Sequence, residues 1–146
     1  MESLKILVVD DSPIIVRKLV LLLEDLGHDV VHTAATGAEA IVAYKQCKPD
    51  MVTMDITMPD MDGIQATRLL MQQYPYAKIL MITSHGQEKM VLEALKAGAR
   101  GYVLKPFQKE RIQEAIQKAC SRVVIKEKLQ NEIEQRTADK QDRSPE

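Results

Sequence analysis

Leu4-Lys5-Ile6-Leu7-Val8-Val9-Asp10-Asp11-Ser12-Pro13-Ile14-Ile15-Val16 decides the fold. Leu4–Val9 is a short apolar run rich in β-branched residues, the pattern of a strand buried on both faces. Two carboxylates then end it. Ser12 can cap a helix, and Pro13 suits the first helical position, where its missing amide donor matters little. An apolar stripe continues to Leu26, and Gly27 supplies the stop. A buried strand passing through an acidic corner straight into a helix is one β-α unit of a layered α/β domain.

Four more units follow. Asp29–Thr33 reads as a second, weaker strand, and Thr36-Gly37-Ala38-Glu39 has capping-box spacing, so a helix should run to about Cys47, before Pro49. Met51–Met54 is the third strand. Asp55–Gly63 contains Pro59 and ends in Asp62-Gly63, a loop leading into a helix from Ile64 to about Gln73. Ile79–Ile82 makes strand four, Gln87–Ala97 a helix stopped by Gly98, and Gly101–Leu104 strand five; Phe107 begins the last helix. Strict alternation with short connections predicts a doubly wound, five-stranded parallel sheet with right-handed crossovers and five helices on its two faces.

The last helix changes character along its length. Ile112, Ile116, Ala119 and Val123 form a stripe suited to packing on the sheet, whereas Ile125, Leu129 and Ile133 form a separate i, i+4 stripe among charged residues. Residues 1–123 therefore read as one domain. Lys126 to about Arg136 reads as a helical extension and Thr137–Glu146 as a disordered end, whose plain composition favours a complete chain.

Charge and composition narrow the function. With 20 basic and 21 acidic residues the net charge is −1, without the basic field that attracts nucleic acid. Cys47 and Cys120 are too far apart for a disulfide framework and lack metal-ligand spacing, so buried thiols in a reducing compartment are expected. No signal-peptide core and no apolar run of membrane-spanning length is present, so a cytoplasmic protein without membrane insertion is expected.

The chemistry lies at the strand ends: Asp10 and Asp11 after strand one, Asp55 after strand three, Thr83 after strand four and Lys105 after strand five. In an open parallel α/β sheet, ligands bind outside the carboxyl ends of the strands. Unit charges about 4 Å apart repel by roughly 4 kcal/mol at an effective dielectric near 20, so three clustered carboxylates call for a cation. Mg²⁺ suits them, because it takes carboxylate, carbonyl and water oxygens. Asp55 could then attack phosphorus and become an acyl phosphate, with Lys105 neutralising charge and Thr83 donating a hydrogen bond to a phosphoryl oxygen. Taken singly, the acidic pair can equally be turn residues, Lys105 a solvated lysine and Thr83 an ordinary strand residue.

Four blocks together resemble the response-regulator receiver family, with the nearest likeness to stand-alone CheY-type chemotaxis regulators. They are Leu7-Val8-Val9-Asp10-Asp11-Ser12, Met54-Asp55-Ile56-Thr57-Met58-Pro59-Asp60-Met61-Asp62-Gly63, Ile82-Thr83-Ser84 and Gly101-Tyr102-Val103-Leu104-Lys105-Pro106-Phe107. The resemblance covers about Leu4 to Val123. It implies strand order 2-1-3-4-5, with the switch point between strands one and three. It also implies that Asp55 is the phosphoacceptor, Asp11 a direct metal ligand, Asp10 an acidic-pocket residue reaching Mg²⁺ through water, and the Thr57 backbone carbonyl the remaining protein ligand. Thr83 becomes the switch hydroxyl, Lys105 the phosphoryl contact and Tyr102 the aromatic that reports activation, and Lys105-Pro106 is expected to be cis. Thr57 and His85 would flank the entry to the phosphoryl group and tune its lifetime, or be simply exposed; His28 and His32 are expected at the surface.

The implied function is a two-component signalling switch, not a turnover enzyme. A sensor histidine kinase would donate phosphate, and the surface of helix four, strand five and helix five would change affinity for an output protein. In the chemotaxis case the donor would be CheA and the target FliM. A rival reading is a phosphorelay intermediate or dimerising adaptor outside chemotaxis, using Ile125, Leu129 and Ile133 as a partner stripe, or a receiver cut from a larger regulator. That stripe is short for a coiled coil, so a monomer is expected, with a weak dimer through this helix as the variant. A haloacid-dehalogenase-like phosphohydrolase is disfavoured, because the second Asp it needs two residues after the nucleophile is Thr57.

Overall fold

The computed structural model describes residues 3–120. Its elements are β1 (Lys5–Val9), α1 (Pro13–Asp25), β2 (Asp29–Ala34), α2 (Gly37–Cys47), β3 (Met51–Asp55), α3 (Gly63–Gln73), β4 (Ile79–Thr83), α4 (Glu88–Ala97) and β5 (Gly101–Leu104). A fifth helix, α5, is described over 109–120. The expected extension from Lys126 and the tail from Thr137 lie outside the described residues, as do Ile125, Leu129 and Ile133.

All four strand pairings are parallel, in the order β2-β1-β3-β4-β5. The chain steps from β1 to β2 in one direction and then from β1's other side outward through β3, β4 and β5. With right-handed crossovers, that reversal puts α1 on one face of the sheet and α2, α3 and α4 on the other. Strand alternation sorts the core to match. Ile6, Val8, Met51, Leu80 and Ile82 pack with Leu19 and Leu23 of α1 and with Ile112, Ile116 and Ala119 of α5. Leu7, Val9, Val52, Met54, Ile79 and Met81 pack with Ala40 and Ala43 of α2, Leu70 of α3, and Val91 and Ala94 of α4. Burial of the Val, Leu, Ile and Met side chains among these contributes about 1.5–3 kcal/mol each, which is why a contiguous apolar run reads as a central strand here.

Helix starts follow local chemistry. Ser12 Oγ accepts from Ile15 N–H, and Asp62 Oδ1 accepts from Gln65 N–H at 2.8 Å. At α2, Thr36 Oγ1 accepts from Glu39 N–H, but Glu39 reaches back to Ala35 N–H rather than to Thr36, so the capping box closes one residue early. Asp60 adds a second clasp at the same helix end, its two oxygens accepting from Gly37 and Ala38 N–H at 2.9 Å each. Charge complementarity with the helix N-terminus favours this arrangement.

Several sequence expectations need correction. Phe107 does not begin the last helix: it lies ahead of it, buried against the α1/α5 face of the sheet, with Lys18 Nζ 5.2 Å from its ring centroid. His28 is not at the surface but only 5 % exposed, directly after Gly27, which takes a positive φ of 92°. Its Nδ1 accepts from Leu4 N–H at 3.1 Å, and burial holds its pKa below the ordinary value. Cys47 and Cys120 are free and half-buried rather than enclosed, Cys120 packing at the margin of the α1/α5 core. His32 is exposed.

Candidate functional site

Strands β1, β3 and β4 carry their polar residues to one edge of the sheet, and the connection after β5 joins them there. Asp10 and Asp55 occupy the same alternation phase as Val8 and Met51, on the α1/α5 side. Both are nearly inaccessible, at 3 % and 6 % exposure, whereas Asp11 is exposed. Asp10, Asp11 and Asp55 can each present a ligand oxygen within 4.8 Å of the others. Lys105 Nζ lies between the two buried carboxylates, 3.1 Å from Asp10 Oδ2 and 3.2 Å from Asp55 Oδ1. The lysine is fixed by its backbone N–H, which donates to Thr83 O at 2.7 Å, and the Lys105-Pro106 bond is cis. Asp10 is held in turn by Ser12 N–H, which donates to Oδ1 at 2.9 Å.

The electrostatics are unbalanced towards negative charge. Burial, followed by the charge of Asp10, pushes Asp55 up from 3.8 to about 6, against the opposing pull of Lys105. Burial alone would lower Lys105, but the charges of Asp55 and Asp10 more than offset it and raise its pKa. One lysine therefore does not neutralise the pocket. Two buried carboxylates, a third within ligand distance and a single ammonium form a donor set that fits a small divalent cation with oxygen preference.

A pH dependence follows. Because Asp55 binds its proton more tightly in the fold than in the unfolded chain, ionising it disfavours the native state. Without divalent cations, stability should therefore fall as pH rises from about 4 to about 6, by on the order of 2 kcal/mol, and stay at that level above. Urea titrations at pH 4.5 and 7.5 in EDTA would measure it. Adding Mg²⁺ at pH 7.5 should restore the loss, and an equal midpoint with and without Mg²⁺ would contradict the cation reading of the cluster.

The remaining sequence candidates differ in burial and in partners. Thr83 ends β4 fully buried, in the phase of Ile79 and Met81 and so on the α2–α4 side, opposite to Asp55. Its hydroxyl donates to Gln87 Oε1 at 2.7 Å. Thr57 is exposed, and its Oγ1 accepts from Gln87 Nε2 at 3.0 Å. His85 is exposed and interacts electrostatically with Glu88. Tyr102 is 50 % exposed on β5. Gln87 was not singled out by sequence reasoning, which placed it only as the first residue of a helix; a glutamine in such a connection has no local signature of its partners 4 and 30 residues away.

Residues 6–117 match the response regulator receiver domain. The chain belongs to that family. Over 117 residues it is 45 % identical to the chemotaxis protein CheY of Bacillus subtilis, covering 80 % of this chain and 98 % of that protein. It is 45 % identical to CheY of Thermotoga maritima over 114 residues, covering 78 % and 95 %. Among solved structures it is similar to CheY of Borrelia burgdorferi in a complex with CheX, BeF₃ and Mg²⁺, at TM-score 0.74 and 35 % identity over 77 % of this chain and 85 % of that one. A response regulator receiver domain protein of Clostridium thermocellum gives TM-score 0.76 and 30 % identity, covering 83 % and 97 %. Receiver domains of this family are signalling switches, and the five-stranded order seen here is the receiver fold. The acidic cluster, Lys105 and Thr83 occupy the carboxyl edge of this receiver sheet. Among the described residues, no helix is long and apolar enough to cross a membrane.

Proposed function

We propose that this receiver is a cytoplasmic, Mg²⁺-dependent phosphoacceptor, modified on Asp55 by a sensor histidine kinase. The observation that carries the reading is Lys105 Nζ held between Asp10 and Asp55, with Asp11 beside them. Asp10, Asp11 and Asp55, with the Thr57 backbone carbonyl, would hold the cation, which would offset carboxylate repulsion and the charge of the incoming phosphoryl group. Asp55 supplies the attacking oxygen: its O–P bond forms as the P–N bond of the kinase's phosphohistidine breaks, and the imidazole leaves. As Asp55 becomes an acyl phosphate, its link to Lys105 loosens, and the ammonium is left to pair with a phosphoryl oxygen. Thr83 donates to a second phosphoryl oxygen.

Output follows from what lies beyond Thr83. Tyr102, Leu104 and Leu92 expose large apolar surface on β5 and α4, and a groove lined by Leu95, Tyr102, Pro106, Arg111 and Lys118 runs along β5 and α5. Inward rotation of Tyr102 as Thr83 shifts would reshape this groove. Similarity to CheY over nearly the whole length of the bacterial relatives supports a chemotaxis role, with CheA as donor and FliM as target. Thr57 and His85 are the candidates for tuning phosphoryl lifetime, from their exposed positions at the rim.

Intact-mass spectrometry after incubation with acetyl phosphate tests the proposal. One phosphoryl adduct, formed with Mg²⁺ and absent in EDTA, is expected. No adduct, together with no binding of beryllofluoride and Mg²⁺, would overturn it.

A further inference from the structure

Helices α1, α2 and α3 are capped by the side chains of Ser12, Thr36 and Asp62, but Gln87, at the corresponding position of α4, makes no side-chain cap bond. Its carboxamide turns back over the sheet edge instead. Oε1 accepts from both Thr83 Oγ1–H at 2.7 Å and Ser84 N–H at 2.8 Å, while Nε2 donates to Thr57 Oγ1 at 3.0 Å. The amide orientation is set by its partners, because Ser84 N–H can only donate and so must face the oxygen. One side chain thus joins the end of β4, the start of α4 and the loop after β3.

A threonine hydroxyl has one proton. While Thr83 donates it to Gln87, it cannot donate it to a phosphoryl oxygen, and strand alternation places Thr83 on the face opposite Asp55. The amide and a phosphoryl group on Asp55 therefore compete for the same donor. We propose that Gln87 is a positioning residue, a carboxamide latch that holds Thr83 in the arrangement unable to reach Asp55 and so sets what fraction of the receiver switches at a given phosphoryl occupancy. The proposal deepens the phosphoacceptor reading and rests on it. Binding that requires Thr83 is weakened by the fraction of molecules in which the hydroxyl is free, so releasing the latch tightens it.

The test compares wild type, Gln87→Met, which keeps side-chain length without the hydrogen bonds, and Gln87→Ser, which can cap α4 but is too short to reach Thr57. Calorimetry with Mg²⁺ alone should give affinities within about twofold of one another. With beryllofluoride added, both variants should bind about three- to tenfold more tightly, the factor that one or two net hydrogen bonds supply. In the unmodified protein, NMR couplings should show Thr83 χ1 fixed in the wild type and averaged in both variants. Unchanged beryllofluoride affinity, or a Thr83 rotamer that stays fixed without Gln87, would overturn the latch. Wild-type binding of Mg²⁺ but not of beryllofluoride would remove the phosphoacceptor reading itself, and the latch's control of the switch with it.

Discussion

Asp55→Asn should take up no phosphoryl group from acetyl phosphate and Mg²⁺, and yet it should be more resistant to unfolding than the wild type. Both results come from the same carboxylate. The Asn side-chain oxygen is neutral and cannot form an acyl phosphate, so the adduct is lost outright and not merely slowed. Its charge is also the one the fold tolerates poorly: burial and Asp10 push Asp55 up to about 6, so at pH 7.5 it is ionised at a cost. Removing that charge leaves Asp10 paired with Lys105 at 3.1 Å and relieves the repulsion between the two buried carboxylates. A gain of about 2 kcal/mol in EDTA is expected, and the pH dependence between about 4 and 6 should flatten. An undiminished adduct on the variant would transfer the phosphoacceptor to Asp10 or Asp11. An unfolding midpoint no higher than wild type would mean that Lys105 stabilises Asp55 more than its surroundings oppose it.

Gly63→Ala should be the most damaging single-methyl change near the site. Gly63 opens α3 where the chain folds back on β3, and its N–H donates to Ile56 O at 2.6 Å. A Cβ there would overlap the Asp55 backbone oxygen and stand 3.0 Å from both Asp55 C and Ile56 Cα. These obstacles are backbone atoms at the end of β3 and just after it, beside the proposed phosphoacceptor, so relief requires moving that strand end or the helix. Overpacking of this kind costs about 3 kcal/mol or more. A shift of about 1 Å in the attacking oxygen would slow phosphorylation on the order of 100-fold. Gly37 is the useful contrast, because a Cβ there would meet the Met61 side chain first, at Cγ and Sδ, with the Met61 backbone oxygen at 3.4 Å, and a methionine side chain can repack. Gly37→Ala should therefore keep the wild-type phosphorylation rate. Equal rates for Gly63→Ala and wild type, measured by intact mass over time, would show that the strand end yields without moving Asp55.

The residues that act in sequence-local ways were legible and those that act across the fold were not. Ile6–Val9, Met51–Met54 and Ile79–Ile82 read as buried strands because short apolar runs, broken here only by Thr53, fit a strand covered on both faces, and their ends placed Asp10, Asp11, Asp55 and Thr83 on one edge. Strands β3 and β4 each extend one residue further than their apolar runs, to Asp55 and Thr83, since ladder pairing continues through a polar side chain as readily as an apolar one. The strand order itself came with the family resemblance, because alternation alone leaves the direction of each crossover open. Asp60 and Gln87 were missed as contacts: their partners are backbone amides 22 and 23 residues away and side chains 4 and 30 residues away, and nothing in a turn's composition records them. His28 was misread for a related reason. A histidine after a glycine looks like a turn residue until the sheet closes over it.

The clasp of Asp60 on α2 gives the molecule a handedness in its compliance. The loop after β3 is moored on one side by two charge-assisted hydrogen bonds to Gly37 and Ala38, reinforced by Met61 against Gly37, whereas towards α4 the side-chain hydrogen bond found among the described residues is the neutral one from Gln87 to Thr57. A strain introduced between these two moorings relaxes through the weaker one. If Asp55 is modified as proposed, the β2/α2 flank would serve as an anvil and the α4/β5 flank as the moving part.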